Sequence, residues 1–175
     1  MTVRYLIEIF RTFLNSFKTE LARPYNFDVS ITMPSALIGF GYMSQILNLR
    51  CESAQLPGRN LATTDLKIYN IVEKYPYQTT FNDISLTFIC SNDMSEKMFF
   101  DNWLEAINPT YTVGATYDLA YKNTYTSDIK ITQYDLTGKS SYVVYLKEAF
   151  PYMMNQMDLS WGSDGYHKVD VTLAY

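Results

Sequence analysis

The side chains that could carry chemistry in this chain are few and far apart. His167 is its single histidine, and it stands just past Gly165 at the start of a strand-like run. One imidazole with no second histidine and no cysteine cluster at ligand spacing makes neither a metal site nor a nucleophile–base pair. The expected role is a solvated residue beside a turn. Thr137-Gly138-Lys139-Ser140-Ser141 ends like a phosphate-binding loop, but the full pattern needs a Gly where Gln133 stands. It also needs a helix afterwards, whereas SYVVYL is strand-forming, so a hairpin turn with a solvated Lys139 is expected. Lys147 and Glu148 are sequence neighbours and read as surface charge. Cys51 and Cys90 lack CxxC spacing, so two free, buried thiols of a reducing compartment are expected and a disulfide is not indicated. Carboxylates are scattered, and with 7 Gly there is no glycine-rich cradle. No catalytic residue, cofactor or metal is expected, and an enzyme is the class these residues support least.

Composition points elsewhere. Hydrophobic residues make up 47% of the 175, enough for a packed core without metals or disulfides. The 16 Tyr suit sheets and interfaces. The formal net charge of −4 is unfavourable for gripping duplex DNA by its phosphates, which needs clustered Lys and Arg. Aromatic platforms on a small barrel could bind single-stranded nucleic acid or sugars, but the nucleic-acid version needs a basic groove. With 14 basic against 18 acidic residues, sheet packing is the plainer use of the tyrosines.

The elements follow from periodicity. Val3, Leu6, Phe10, Phe13 and Phe17 step by three and four, with Ile7, Leu14 and Leu21 widening the stripe. That predicts an amphipathic helix ended by Arg23-Pro24, docked either on its own domain or on a neighbouring copy. Arg4, Glu8, Arg11, Lys18 and Glu20 break its apolar runs, so neither a signal peptide nor a membrane span is expected. FDVSITM alternates Phe27, Val29, Ile31 and Met33 against polar partners, as a half-buried strand does. Residues 34–45 hold Pro34, Gly39 and Gly41 and read as a loop. LNLRCESAQL resumes the alternation through Leu47, Leu49 and Cys51. LKIYNIVEKY has strand-forming residues without clean alternation. NDISLTFIC has Ile84, Leu86, Phe88 and Cys90 inward. Residues 94–107 predict a helix with Phe99, Phe100, Trp103, Leu104 and Ile107 on its apolar face, an Asp93–Glu96 capping arrangement in front and Asn108-Pro109 behind. SDIKITQYD and SYVVYLKEAF join through DLTGKSS as a hairpin, with Val143 and Tyr145 on one side and Val144, Leu146 and Phe150 on the other. QMDLSW and YHKVDVTLAY predict a second hairpin turning at Asp164-Gly165.

The sum is a mainly β chain: an antiparallel β-sandwich or barrel of six to seven strands, one packed α-helix and an N-terminal helix. A single domain over 1–175 is expected, with 1–22 as the N-terminal helix and 23–175 as the barrel carrying helix 94–107.

One stretch resists this scheme. CESAQLPGRN looks like a strand stopped at Leu56-Pro57-Gly58, where Pro57 fixes φ and withholds a donor and Gly58 can take a positive φ. Some fifteen residues then pass before the next clear strand, an excursion that in a small domain is functional or disordered.

The motifs in order resemble the tail tube proteins of contractile-tailed bacteriophages. ARPYNFDVSI resembles that family's entry into its first strand, and CESAQLPG its strand ending in a Leu-Pro corner. Thr80-Phe81-Asn82-Asp83 before ISLTFI, then Phe99 to Ile107 with Trp103, resemble its T-F-x-D strand and F-x-x-W helix. YTSDIKITQYD, YLKEAFP, MDLSW and KVDVTLAY complete the series. The resemblance implies a structural subunit of the virion tail, made in the host cytoplasm. It implies hexameric rings of this chain, stacked into a tube that passes viral DNA without binding it specifically. Its partners would be itself, the tail sheath protein, the baseplate and a tail terminator. It also implies that the corner at Leu56, Pro57 and Gly58 opens an arm over about residues 59–67. Arg59, Asn60, Thr63, Thr64 and Asp65 would then make ring-to-ring contacts, against the bland alternative of a flexible surface loop. A tube-initiating baseplate protein, or the tube of a secretion or injection particle, would share these motifs; a monomeric sugar or single-stranded nucleic-acid module is the reading from another class.

Overall fold

The computed structural model describes residues 11, 22–68, 71–110, 119–162 and 164–175. The expected N-terminal helix falls almost wholly outside these residues. The described residues hold a six-stranded antiparallel sheet and a separate two-stranded one. The large sheet comprises β1 (Phe27–Ile31), β2 (Cys51–Ala54), β5 (Ile84–Ile89), β6 (Ser127–Tyr134), β7 (Ser140–Met154) and β8 (Lys168–Ala174), in the order β1-β6-β7-β8-β5-β2. The small one is a hairpin of β3 (Arg59–Ile68) and β4 (Ile71–Phe81).

Period-two patterning builds the sheet. Ile84, Leu86 and Phe88 are buried and lie opposite Leu173, Val171 and Val169, which are buried too. Ile129 and Ile131 face the same core from β6. Across it lies the helix Ser95–Ile107 (α2), burying Phe99, Phe100 and Trp103 as the spacing predicted. Phe88 meets Phe100 at 5.1 Å between ring centroids, and Trp103 meets Phe99 at 5.6 Å. Such aromatic pairs add about 0.5–1.5 kcal/mol each beyond area burial. Trp103 also donates its indole N–H to the Tyr125 carbonyl at 2.7 Å, so the ring is buried with its one donor satisfied. Tyr125 closes the short helical turn Lys122–Tyr125 (α3).

Several expectations are corrected. Residues 34–45 are largely helical: a 3-10 helix spans Ser35–Phe40, and the α-helix Met43–Arg50 (α1) follows. LNLR is therefore helix rather than strand, and β2 begins only at Cys51. The run satisfies both periods, since Met43 and Leu47 are four apart and both buried, while Leu49 is exposed. The tie is broken by α1's docking: Ser44 Oγ donates to the Ile31 carbonyl at 2.7 Å and Asn48 Oδ1 accepts from the Ile31 N–H at 3.2 Å.

The Asp93–Glu96 capping box does not form. Met94 occupies the N-cap with φ 55° and no side-chain cap bond. Glu96 is instead fully buried and accepts from the Ser91 N–H at 2.8 Å, the Ser91 hydroxyl at 2.9 Å and the Arg50 guanidinium. Burial pushes its carboxyl up, but these donors outweigh that and hold it below the ordinary value.

In β7 the inward phase changes midway: Leu146 is buried, then Ala149, and Phe150 is left half-buried against the Tyr125 ring. Glu148 has φ 52°, and the register slips so that Ser127 faces Ala149 while Ile129 faces Leu146. This is a bulge, which inserts one residue and shifts every later side chain. Lys147 and Glu148 are exposed, the surface charge expected, and they pair across elements with Asp128 and Lys122. QMDLSW is not a strand: β7 runs to Met154, and a connection over 155–167 leads to β8, which pairs with β7 from Phe150↔Ala174 to Met154↔Val171.

Candidate assembly interface

The arm is strand rather than the loop expected. Residues 59–68 are a ten-residue strand paired along its length with the eleven residues of β4, from Arg59↔Phe81 to Ile68↔Ile71. At about 3.3 Å per residue the hairpin extends roughly 33 Å from the sheet. LKIYNIVEKY lacks a clean period because it contains the reversal between two strands. Pro76 sits where the register shifts by one residue, between Ala62 and Thr63 on the partner strand. Proline is tolerated at such bulges and on edge strands, and a two-stranded ribbon has only edges.

The hairpin leaves the sheet at the Leu56-Pro57-Gly58 corner. Gly58 does not take a positive φ; a Cβ on it would stand 3.2 Å from the Asn82 side-chain nitrogen. Its carbonyl accepts from the Asn82 N–H at 3.2 Å, and Asn60 donates to the Asn82 side chain at 2.8 Å. On the returning strand, Phe81 contacts the Tyr175 ring at 6.2 Å between centroids. Tyr175 Oη donates to the Asn82 carbonyl at 2.9 Å, and Tyr152 Oη donates to Asp83 at 3.0 Å. The Asp83 hydrogen bond keeps the Tyr152 phenol above its ordinary pKa. The base is fixed, while the shaft is open.

Every residue of β4 is exposed. On β3, Arg59, Asn60, Thr63, Thr64 and Asp65 are all exposed, and at the corner Leu56 and Gly58 are exposed and Pro57 half-buried. The structure thus brings the expected contact residues together on one element. Sequence reasoning missed the apolar half of it: Leu61, Leu66, Ile71, Val72, Tyr75 and Tyr77 are large, apolar and exposed. Register puts Leu66, Ile71 and Tyr75 on one face, and Asp65, Lys67 and Lys74 on the other. The signal was present in the β-branched and aromatic density of 71–81. An apolar ribbon this long, uncovered on both faces, is an association surface or an aggregation hazard.

The large sheet leaves two further edges. Among the described residues β1 pairs only with β6 and β2 only with β5. The α1 side chains cap the Ile31 end of β1, and at the other end Phe27 and Ile131 approach Ala54 and Leu56 around a cavity of about 210 Å³. Ala22, Pro24 and Gln133 complete its wall.

The candidate chemical groups stay scattered. His167 is half-buried in the 155–167 connection, beside Asp158 and Trp161. TGKSS is a turn in which Asp135 accepts from the backbone of Thr137 and Lys139, and Gly138 has φ 82°. Cys51 and Cys90 are free but half-buried rather than buried. Burial pushes the Cys51 thiol up to about 12, with the Asp28 charge adding to it, and Cys90 is raised by the same causes, burial first and then Glu96. Among the described residues no cluster of three or more metal-binding side chains exists, and no helix is long and apolar enough to cross a membrane.

A family model described as "Phage tail tube protein" matches residues 22–175. The chain belongs to the phage tail tube protein family. No curated protein sequence matches it. Among solved structures, this tail tube family member is similar to a chain of the anti-feeding prophage baseplate, 6-fold symmetrised, with a TM-score of 0.63 and 16% identity, covering 90% of this chain and 93% of that one. It is similar to a chain of the PVC extracellular contractile injection system's sheath–tube complex in the extended state, with a TM-score of 0.62 and 15% identity, covering 91% and 90%. A chain of the sheath/tube terminator of that system follows, with a TM-score of 0.60 and 17% identity over 89% and 93%. At such identities these likenesses bear on the fold. The family match carries the structural role: a component of tail tubes, in a family of structural proteins rather than enzymes.

Proposed function

We propose that this chain forms hexameric rings that stack into the inner tube of a contractile phage tail, the conduit for genome ejection. It has no active site; the assembled polymer is the working object. The observation that carries the reading is the β3–β4 hairpin, a ribbon roughly 33 Å long whose β4 is exposed at all eleven residues. Such a ribbon is uneconomical in a monomer and useful in a stack, where it lies on the adjacent ring. Leu56, Pro57 and Gly58 set its exit, and Arg59, Asn60, Thr63, Thr64 and Asp65 contact that ring. The free edges of β1 and β2 support lateral joining, since edge-to-edge completion between copies hides the backbone groups a lone subunit leaves open. The net charge of −4 suits a bore past which like-charged DNA slides. The sheath, baseplate and terminator then meet the tube outside, below and above, in a virion assembled in the host cytoplasm.

The solved relatives from a baseplate and from injection systems support a second reading within the fold, a tube-initiating ring or an injection-particle tube. Negative-stain microscopy and sedimentation of the purified protein over a concentration series test the proposal. Six-fold rings and long tubes formed unaided support a tube subunit. Rings that never stack favour the initiator, and a monomer at every concentration overturns both.

A further inference from the structure

A tube grows from head-to-tail contacts, in which two different patches of one chain complement each other. The hairpin is one such patch, and the described residues hold its counterpart at the opposite end of the strands. β8 starts at Lys168, opposite Ile89, at the end of the sheet where β2 begins. The 155–167 connection therefore sits at that end. The hairpin leaves from the other: β2 ends before it, and β5 restarts after it at Ile84, opposite Leu173. From Lys168 to Leu173 the two ends are about 17 Å apart along the strand.

The connection is built to be covered. Trp161 is 106% exposed and Leu159 is 86% exposed, with Tyr166 also open. Trp103, the other tryptophan, is wholly buried. A fully solvated indole beside an exposed leucine is the composition of an interface anchor, since Trp dominates the residues whose truncation costs most in binding.

We infer that the 158–166 segment of one copy is the receptor for the β3–β4 hairpin of a copy in the next ring, with Trp161 as its anchor. Leu66, Ile71 and Tyr75, which share one face of the ribbon, cover Trp161 and Leu159. This deepens the tube reading and rests on it.

The test is photo-cross-linking within assembled tubes, using equal parts of ordinary and nitrogen-15-labelled protein so that inter-chain products are recognised by mass. With Trp161→benzoylphenylalanine, the expected inter-chain peptide pairs the 158–166 segment with one from 59–81. The reverse probe, Tyr75→benzoylphenylalanine, should return peptides from 158–166, which guards against one variant failing to assemble. In parallel, Trp161→Ala should raise the concentration needed for tube formation by about 30-fold or more, without shifting thermal unfolding of the dispersed chain. Cross-links confined to other segments, or unchanged assembly of Trp161→Ala, overturn the inference and leave the tube reading standing. Failure of the parent protein to form tubes overturns the tube reading, and this inference with it.

Discussion

Removing residues 60–80 and rejoining Arg59 to Phe81 through an Asn-Gly turn should separate folding from assembly. On the folding side, the deletion loses the exposed Asn60–Asn82 hydrogen bond at the base and keeps Phe81 against Tyr175. A hydrogen bond of that kind is worth about 0.5–1.5 kcal/mol. About 1 kcal/mol corresponds to roughly 2–4 °C in melting temperature for a domain of this size. On the assembly side, the deletion takes away Leu66, Ile71, Val72, Tyr75 and Tyr77, each roughly half to two-thirds exposed in the lone chain. Fully burying a Leu, Ile or Val side chain is worth about 1.5–3 kcal/mol. Covering what remains open on three of them therefore contributes on the order of 3 kcal/mol per contact, or about 150-fold in affinity. Circular dichroism melts and sedimentation velocity read the two effects separately. The expected result is a melt within a few degrees of the parent, with tubes absent at concentrations where the parent is fully polymerised. A melting temperature lowered by more than about 10 °C would show that the hairpin belongs to the core, and tubes at parental concentration would show that it is not the stacking element.

Other predictions concern the core and its titrating groups. Trp103→Ala empties the centre of the α2 face and should cost about 3–5 kcal/mol in urea unfolding. Because the folded carboxyl of Glu96 lies below its ordinary value of 4.5, it adds stability above that value and loses it as pH falls through the folded one. A melting series downward from pH 5 should therefore show a smaller acid loss for Glu96→Gln than for the parent. With its thiol at about 12, Cys51 should resist iodoacetamide at pH 8 in the native protein and react once urea unfolds it, followed by mass spectrometry of the labelled peptides.

Much of this architecture was legible in the residues. Ile84, Leu86 and Phe88, Ile129 and Ile131, and the α2 aromatics declared their faces because one side of each element is buried, and burial imposes a clean period. Where burial does not impose one, reading failed. The hairpin is exposed on both faces, so nothing sorted Leu66, Ile71 and Tyr75 from their polar neighbours, and a ten-residue strand read as a loop. Residues 43–50 satisfied two periods, and Ser44 and Asn48 bonding to Ile31 decided between them, a long-range contact that local pattern does not contain. In β7 the bulge at Glu148 inverted the phase that Val144 and Leu146 had set. The corner at Pro57 and Gly58 correctly marked where the chain leaves the sheet, although Gly58 does not take the positive φ that a glycine allows.

A cryo-EM reconstruction of the particles formed by the purified chain tests the central claim most directly. The account predicts stacked six-fold rings in which each β3–β4 hairpin is buried against a copy of the next ring and the β1 and β2 edges are covered by neighbours. Discrete monomers, or rings whose hairpins stand free in solvent, would contradict it.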